Sequence, residues 1–467
     1  MGNLHRLARP AALNRRDMPD GSEGAERRPW RRALVWLAVL GPFFFASYGL
    51  ATWVSSRRAE LGDIATVAFA WERAIPFVPW TIVPYWSIDL FYGLSLLLCA
   101  TRRQLDTHVA RLLATQILAV SCFLLFPLRC TFVRGEVDGV FGWLFATLNG
   151  FDQPFNQAPS LHIALLVVLL QLYLAVLPRQ WHWPARAWAL LIGVSVLTTW
   201  QHQFFDIPTG LWLGCFAVWL FPDTGDSPLR RAAWTGDTRR RRLAAAYLGG
   251  ALVAGALALA VGGGGLWLLW PAGALLMVAA IHLFFDGAAF GKRTDGSTPL
   301  AARVLLAPYQ WGARLNARWW TRRLAAAAEI APGVWLGRLP TAAERRRWHG
   351  TVVDLCAELP CPAPGLEHVA IPMLDLVPPT PAQLDQATGA IDDALHSGRP
   401  VLVCCALGLA RGALTAAAWL LRSGAATTGE EAVERVRRAR PSVVLGLRDI
   451  ALLDAWHRHA RATDAVG

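Results

Sequence analysis

The sequence contains a single lysine, Lys292, and only 17% of its 467 residues are charged, whereas an average soluble domain has about 25%. With 54% hydrophobic residues, this scarcity of charge excludes a disordered chain and argues against a wholly soluble one. The eight cysteines have no regular spacing, so neither a disulfide framework nor a zinc-binding motif is indicated. No short apolar segment with a small-residue cleavage site opens the chain, and we expect no cleaved signal peptide.

Arginine supplies almost all of the positive charge, and the formal net charge is +12. Such a charge is compatible with nucleic-acid binding, which would need aromatic stacking platforms in a soluble basic groove. The arginines instead cluster at the edges of apolar runs. We therefore expect no nucleic-acid partner.

Eight apolar runs follow one another before residue 290. Most have roughly 17–22 residues, the length that crosses about 30 Å of hydrocarbon as a helix. A large buried helical core is the alternative, but so many runs of this length favour a membrane bundle. The predicted spans lie at about 33–54, 79–100, 109–128, 160–178, 184–201, 207–222, 243–263 and 265–285.

The arginines also predict an orientation. The N-terminal tail and the loops at about 101–111, 178–187 and 223–242 are rich in arginine and alternate with less basic loops. Basic loops remain in the cytoplasm, and an even number of spans returns the chain there after residue 285. We expect a multi-pass protein of a bacterial inner membrane with a cytoplasmic N-terminus and a cytoplasmic C-terminal domain.

The fold class predicted is a multi-span α-helical membrane bundle followed by a soluble α/β domain of cysteine-phosphatase type. In the soluble part, short apolar runs bounded by glycine, proline and charged residues alternate with helix-like stretches. Tryptophan and arginine at 301–328 fit a helix on the membrane surface and an ordinary connecting helix equally well. The predicted parts are a basic cytoplasmic tail (1–32), a six-span membrane domain (33–222), a basic loop with two further spans (223–285), a linker (286–329) and the soluble domain (330–467).

The most informative motif of the soluble part surrounds Cys405. An apolar strand ends at Cys405, and Arg411 precedes a helix. Backbone N–H groups of the intervening loop and the helix N-terminus favour a bound phosphate and a thiolate, and Arg411 can give a phosphate two parallel hydrogen bonds. The alternative is that Cys404 and Cys405 are ordinary buried strand residues. The loop residues predicted to bind phosphate are Ala406, Leu407, Gly408, Leu409 and Ala410.

This motif resembles the Cys-x5-Arg loop of cysteine-dependent phosphatases, in particular the dual-specificity branch, and the resemblance runs from about Gly333 to Trp456. It implies that Cys405 is a nucleophile that forms a phosphocysteine. It also implies that Asp375, which follows an apolar strand, protonates the leaving oxygen. Cys404 stands where the family usually has histidine, and Gly412 where it usually has serine or threonine. The missing hydroxyl implies slow turnover.

Two polar clusters lie at the ends of predicted spans that the topology places on the outer face. One includes Ser160 and His162, and the other includes His202 and Asp206. Residues four apart share a helix face, so Asp206 can hydrogen-bond one ring nitrogen of His202 and make the other more nucleophilic. His162 can then donate a proton to a leaving group. The alternative is that both histidines are satisfied interfacial residues.

The same clusters supply too few ligands for a metal ion, and we expect neither a metal nor another cofactor. Arginines of the outer loop before the fourth span can neutralise a phosphate. The predicted phosphate ligands are Arg129, Arg134 and Ser160.

The two clusters resemble the type-2 phosphatidic acid phosphatase superfamily of membrane lipid phosphatases, over about residues 33–222. The resemblance implies a phosphohistidine at His202, oriented by Asp206, with His162 as the acid. Pro127 occupies the lysine position of the family's Lys-x6-Arg-Pro motif. The absence of such motif residues is also typical of the branch of the superfamily that resembles inositol phosphorylceramide and sphingomyelin synthases.

The sequence therefore predicts a bifunctional membrane phosphatase that acts on lipid phosphates, through phosphohistidine chemistry outside and phosphocysteine chemistry in the cytoplasm. Its expected partners are membrane lipids and a phosphorylated lipid or phosphoprotein substrate. One alternative is a headgroup transferase of the synthase type with a regulatory cytoplasmic domain. Another is a sensor whose loop binds phosphate without turnover.

Overall fold

The described part of the chain before residue 322 is mainly helical. The structure, a computed structural model, describes residues 28–62, 64–150, 152–362 and 365–464, and most of the predicted basic tail lies outside these ranges. The helices of this part are α1 (Trp30–Glu60), α2 (Ile82–Leu98), α3 (Arg102–Leu125), α4 (Gly139–Asn149), α5 (Leu161–Val176), α6 (His182–Thr198), α7 (Asp206–Leu220), α8 (Thr238–Val261), α9 (Leu269–Phe284) and α10 (Leu300–Thr321).

Each of the eight predicted spans coincides with a helix, whereas α4 was not predicted. The helices α5 and α7 are apolar but have only 16 and 15 residues. They are therefore about 24 and 22 Å long, shorter than the roughly 30 Å hydrocarbon layer. Among the described residues, five helical segments are long and apolar enough to cross a membrane: Trp30–Glu60, Pro79–Leu98, Arg102–Leu125, Thr238–Val261 and Gly263–Phe284.

The helices α5 and α7 approach each other closely because α7 carries glycines at the contact. A Cβ on Gly210 would lie 2.5 Å from the Ser160 carbonyl oxygen, and one on Gly214 would lie 2.6 Å from that of Ala164. Small residues of this kind let membrane helices pack backbone to backbone. The close approach brings the N-terminal ends of α5 and α7 together, where the predicted histidine site lies.

The C-terminal part is an α/β domain built on a five-stranded sheet in the order β1-β2-β5-β3-β4. The β1 strand is antiparallel to β2, and the other pairs are parallel. Every residue of β3 and β5 is buried, as expected for central strands covered on both faces. The fold class predicted from the sequence is confirmed. The elements are β1 (Ala327–Ala331), β2 (Val334–Arg338), α11 (Ala342–Arg347), β3 (Thr351–Cys356), β4 (His368–Met373), α12 (Pro381–His396), β5 (Val401–Cys405), α13 (Arg411–Arg422), α14 (Gly429–Ala439) and α15 (Leu447–Asp464).

The α/β domain packs against the helical bundle through the segments that follow β3 and β4. Ala357 and Leu374 belong to the same buried apolar cluster as Phe290, which lies between α9 and α10. The Gln310 amide of α10 also donates a hydrogen bond of 3.1 Å to the Glu358 carbonyl oxygen. The domain is thus joined to the bundle at the end where α9 finishes.

Lys292, the only lysine, is a buried contact between the linker and the sheet. Its Nζ lies 2.5 Å from Asp354 Oδ2 on β3, and neither side chain is exposed. His368 Nε2 lies 3.4 Å from the same carboxylate, while its Nδ1 is 2.8 Å from the Thr294 carbonyl oxygen. Burial lowers the pKa of His368, but hydrogen bonding to Asp354 and the Cys361 thiol outweighs this and raises it to about 9. The linker therefore holds the sheet edge through a charged cluster.

Candidate active sites

The predicted cysteine loop forms at the carboxyl end of the central strand β5. Cys405 is the last residue of β5 and is buried, and the loop after it leads directly into α13. The Gly408 N–H points at Cys405 Sγ, 3.3 Å away. Gly408 has φ +69°, and a Cβ there would lie 2.3 Å from the Gly337 carbonyl carbon, so only glycine fits. This arrangement forms an anion cradle around the thiol.

Arg411 is the first residue of α13 and is held by carboxylates. Its Nη1 and Nη2 donate to Glu358 Oε2 and Oε1 at 2.9 and 2.7 Å, and Nη2 lies 3.0 Å from Asp375 Oδ1. Nη1 also donates to the Met373 carbonyl oxygen at 2.9 Å. Burial lowers the pKa of Arg411, but the Glu358 carboxylate more than compensates and raises it above its usual range. The guanidinium is thus charged and fixed in orientation.

Glu358 was not among the predicted site residues. It is buried, and burial raises its pKa, but the Arg411 charge reverses the effect and holds that pKa below its usual value. The one sequence signal is a carboxylate inside the otherwise apolar run that follows β3. A buried charge of this kind requires a partner.

Asp375 lies where the sequence predicted, in the segment after β4. Its side chain is 39% exposed and contacts Arg411. Partial burial raises the pKa of Asp375, Arg411 opposes the shift, and Glu358 adds to it. The net direction is upward, which favours the protonated carboxyl that a general acid needs.

Arg440, just after α14, is a second buried arginine that the sequence did not single out. Its Nε donates to the Gly408 carbonyl oxygen and its Nη1 to that of Ala325, both at 3.0 Å. Arg440 thus fixes Gly408, whose N–H contacts the Cys405 thiol. Nothing local distinguishes Arg440 from the neighbouring Arg437 and Arg438.

The two departures from the phosphatase pattern occupy tightly packed positions. Cys404 is fully buried and pairs with Asp354 of β3, and burial raises its pKa well above the usual value. It is therefore no competing nucleophile. At Gly412, a Cβ would lie 3.0 Å from Leu336 Cδ1, so a side chain there requires a small shift of Leu336.

The predicted histidine site forms where α5 and α7 begin. His202 Nδ1 lies 3.1 Å from Asp206 Oδ2, and His202 Nε2 lies 3.4 Å from Ser160 Oγ. Asp206 also accepts the Gln203 N–H at 3.1 Å. The expectation that His202 and Asp206 share a helix face is wrong, because His202 lies in the turn before α7 and only Asp206 is helical. The contact forms nonetheless.

His162 stacks on Tyr85 with ring centroids 4.2 Å apart and lines the same cavity as His202. Its Nε2 has no hydrogen-bond partner among the described residues. A residue that lines the cavity and has an unpartnered ring nitrogen can exchange a proton with a substrate there.

The two predicted phosphate-binding arginines line an adjoining cavity of about 880 Å³. Arg134 donates to Asn149 Oδ1 at 2.6 Å and to the Thr199 carbonyl oxygen at 3.2 Å. Arg129 lines the same cavity, as does Asp152. Asp152 also lines the histidine cavity, so the two cavities adjoin at this carboxylate.

A possible metal site lies elsewhere. Within the described ranges, Asp354, Cys361 and His368 offer ligand atoms within 4.8 Å of one another. The Lys292 ammonium already neutralises Asp354 there. The raised pKa of His368 also favours its protonated form, which cannot ligate a metal. The cluster is therefore better described as an ion-pair cluster between the linker and the sheet than as a metal centre.

Comparison with known proteins identifies the class of the C-terminal part. Residues 351–458 match the family model of the dual specificity phosphatase catalytic domain. The chain thus carries a dual-specificity phosphatase domain, of a class that hydrolyses phosphoesters. The match covers less than a quarter of the chain and does not extend into the helical bundle.

Solved phosphatase structures resemble the same part of the chain. The active form of Tk-PTP is 28% identical, with 29% of this chain and 99% of that chain covered and a TM-score of 0.26. Human DUSP28 is 22% identical, with coverage of 29% and 96% and a TM-score of 0.27. PTPMT1 in complex with PI(5)P is 22% identical, with coverage of 30% and 99% and a TM-score of 0.28.

Proposed function

We propose that the protein is an integral membrane phosphatase with two active sites, both acting on phosphorylated lipids. The Cys405 site hydrolyses phosphomonoesters at the cytoplasmic surface, and the His202 site works at the outer face. The observation that carries the proposal is the charged Arg411, fixed in orientation beside the Cys405 loop. The segments after β3 and β4, which carry Glu358 and Asp375, also pack against the helical bundle.

In the cytoplasmic site the Cys405 thiolate attacks phosphorus, and the bond from phosphorus to the leaving oxygen breaks. Asp375 gives its proton to that oxygen, so the leaving group departs neutral. A water molecule then attacks the phosphocysteine and returns a proton to Asp375, which releases phosphate and the thiolate. Arg411 and the loop N–H groups hold the phosphate oxygens throughout.

The position of the cytoplasmic site favours a lipid substrate. Tyr247 of α8 and Tyr309 of α10 pack with ring centroids 5.8 Å apart beside the segment that carries Asp375. Arg239, in the first turn of α8, is close enough for its charge to lower the pKa of Asp375 slightly against the net upward shift. A phosphate carried on a lipid at the bilayer surface would approach past these helices, whereas a large phosphoprotein would meet them as an obstacle.

In the outer site His202 Nε2 attacks phosphorus while Asp206 holds the imidazole through Nδ1. His162 gives a proton to the leaving alkoxide oxygen. Water then attacks phosphorus, the bond from phosphorus to His202 Nε2 breaks, and a proton of that water returns to His162. The outer site lies where Asp206 begins α7, and Trp219 near the other end of that helix donates to the Ala289 carbonyl oxygen of the linker that leads to the phosphatase domain.

The test uses the full-length protein in mixed micelles. Phosphate release from p-nitrophenyl phosphate and phosphatidic acid should be lost in Cys405→Ser and kept in the matched variant Cys404→Ser. Diacylglycerol release is then measured in Cys405→Ser over a panel of phospholipids. Adding His202→Ala to this variant should abolish the remaining release. Adding His182→Ala should not, because His182 lies at the other end of the bundle. Equal rates for wild type and Cys405→Ser would favour the phosphate-sensing alternative.

A further inference from the structure

The second half of α10 leaves a row of large apolar side chains exposed. Trp311, Leu315 and Trp319 recur at every fourth position and therefore share one side of the helix. They are 58%, 70% and 63% exposed. A contiguous exposed row of this size indicates an interaction surface. The charges beside the row and the position of α10 indicate what covers it.

Arginines follow the same helix without an acid to balance them. Residues 296–328 include five arginines and neither aspartate nor glutamate. The guanidinium groups of Arg303, Arg314 and Arg318, here called the basic stripe, make no hydrogen bond or ion pair with a described residue. Burial lowers the pKa of Arg314, and the positive charges of Arg303 and Arg318 lower it further. An anionic ligand would relieve this repulsion.

The basic stripe lies between the exposed row and the side of α10 that faces the α/β domain. Gln310 marks that side, since it is buried and donates a hydrogen bond to the Glu358 carbonyl oxygen. At 3.6 residues per turn, Arg314 and Arg318 lie about 40° and about 80° around the helix from Gln310. Leu315 of the exposed row lies about 140° around. This order suits a helix in the headgroup layer, with apolar side chains among the acyl chains and arginines at the phosphates.

The α10 helix leaves the helical bundle and enters the α/β domain. In its first half, Leu305 belongs to the same buried apolar cluster as Ala217 of α7. Trp270 of α9 donates a hydrogen bond of 2.8 Å to the Val304 carbonyl oxygen, and its ring lies 5.4 Å from that of Trp311. The exposed row therefore continues the surface of a candidate membrane span. A segment that joins a membrane bundle to a soluble domain passes through the headgroup layer, where tryptophan is enriched.

We propose that α10 lies in the cytoplasmic headgroup layer and that its basic stripe binds the phosphate groups of anionic phospholipids. Each guanidinium can give a phosphate two parallel hydrogen bonds. The site lies outside both proposed active sites, and no bond is made or broken there. Ala313 of the same helix packs in one cluster with Leu407 of the Cys405 loop. Lipid bound to α10 therefore holds the phosphatase domain, with its active-site loop, against the bilayer.

The test measures which lipids contact α10 in the full-length protein. Phosphatidylcholine nanodiscs carry a trace of phosphatidylglycerol or phosphatidylcholine with a photoactivatable diazirine near the glycerol, and mass spectrometry counts the adducts on residues 300–323. The wild type should give more adducts with phosphatidylglycerol. This preference should fall at least about fivefold, the factor for about 1 kcal/mol, when glutamine replaces all three arginines of the basic stripe. Lysine at the same three positions keeps the charge and should keep the preference.

A matched control removes the same charge from α15, which packs on α13 and α14. The preference should survive the exchange to glutamine of three exposed arginines there: Arg448, Arg458 and Arg461. Equal adduct yields for both lipids in the wild type, or an undiminished preference in the glutamine variant of the basic stripe, would overturn the inference. The absence of adducts on α10 with either lipid would overturn it in favour of a protein partner. None of these outcomes depends on phosphate release, so the inference and the proposed function fail separately.

Discussion

Replacing Glu358 with glutamine probes the part of the cytoplasmic site that the sequence did not reveal. The carboxylate makes two charge-assisted hydrogen bonds to Arg411, at 2.7 and 2.9 Å, and both side chains are 4% exposed. Glutamine keeps one acceptor, and a hydrogen bond to a charged group is worth about 1.5–3 kcal/mol. We therefore expect kcat/KM for p-nitrophenyl phosphate to fall about 10-fold to 150-fold, because Arg411 is less well fixed on the phosphate.

The same substitution should change the pH profile. Burial and the Glu358 charge both raise the pKa of Asp375, and Arg411 lowers it. Glutamine removes the Glu358 contribution, so the pKa of Asp375 falls. Because Asp375 must be protonated to act as the acid in the first step, the alkaline limb of the kcat/KM profile should move to lower pH.

A matched control exists in Glu344→Gln. Glu344 makes the same two-bond pair with Arg338, at 3.0 and 2.8 Å, but the side chains are 35% and 22% exposed. Such a pair is worth about 0–1 kcal/mol, so kcat/KM should stay within about fivefold of wild type. An unchanged kcat/KM and an unmoved alkaline limb in Glu358→Gln would refute the role assigned to the Glu358–Arg411 pair.

Three further predictions concern the same domain. Gly412→Ser should raise kcat and shrink the burst of p-nitrophenol, because the new hydroxyl assists dephosphorylation once Leu336 shifts; a lower kcat with a larger burst would contradict this. Lys292→Met leaves the buried Asp354 with only the more distant His368 as a cation, so thermal unfolding should report a loss of up to about 3–5 kcal/mol, and an unchanged stability would count against the charged cluster. The pKa of His368 is raised from 6.5 to about 9, so its contribution to the unfolding free energy is complete below pH 6.5 and lost as pH rises through 9; a denaturation series that is flat over this window would exclude it.

Hydropathy predicts the helical bundle well because membrane spans are set by length and apolarity. Hydropathy does not predict the α4 helix, because its 11 residues are too few to span a membrane. The β1 strand escapes because Ala327–Ala331 contains three alanines and one β-branched residue, a composition with no strand preference. Both elements owe their place to the partners they pack on.

In the candidate sites, the sequence likewise predicts contacts between residues that are close in the chain but not contacts that the fold creates. His202 and Asp206 lie four residues apart, and Cys405 and Arg411 flank one loop, so local spacing places each pair together; their catalytic roles remain predictions. Glu358 is 53 residues from Arg411, a partnership that follows only from the sheet order.

The outer cavity is equally hidden from the sequence. Asp89 and Asp152 meet the histidines only through the packing of helices that are far apart in the chain. A carboxylate alone within an apolar helix, as in α2, was the one available signal for the first of them.

The most direct test of two active sites on opposite membrane faces is leaflet-specific hydrolysis in sealed vesicles of known orientation. Labelled phosphatidic acid and a panel of labelled phospholipids are added to the outer leaflet only, and diacylglycerol is measured. With the C-terminal domain facing outward, Cys405→Ser should abolish release and His202→Ala should not; with the opposite orientation, the two variants should exchange their effects. Loss of activity in both variants from the same orientation would contradict the account.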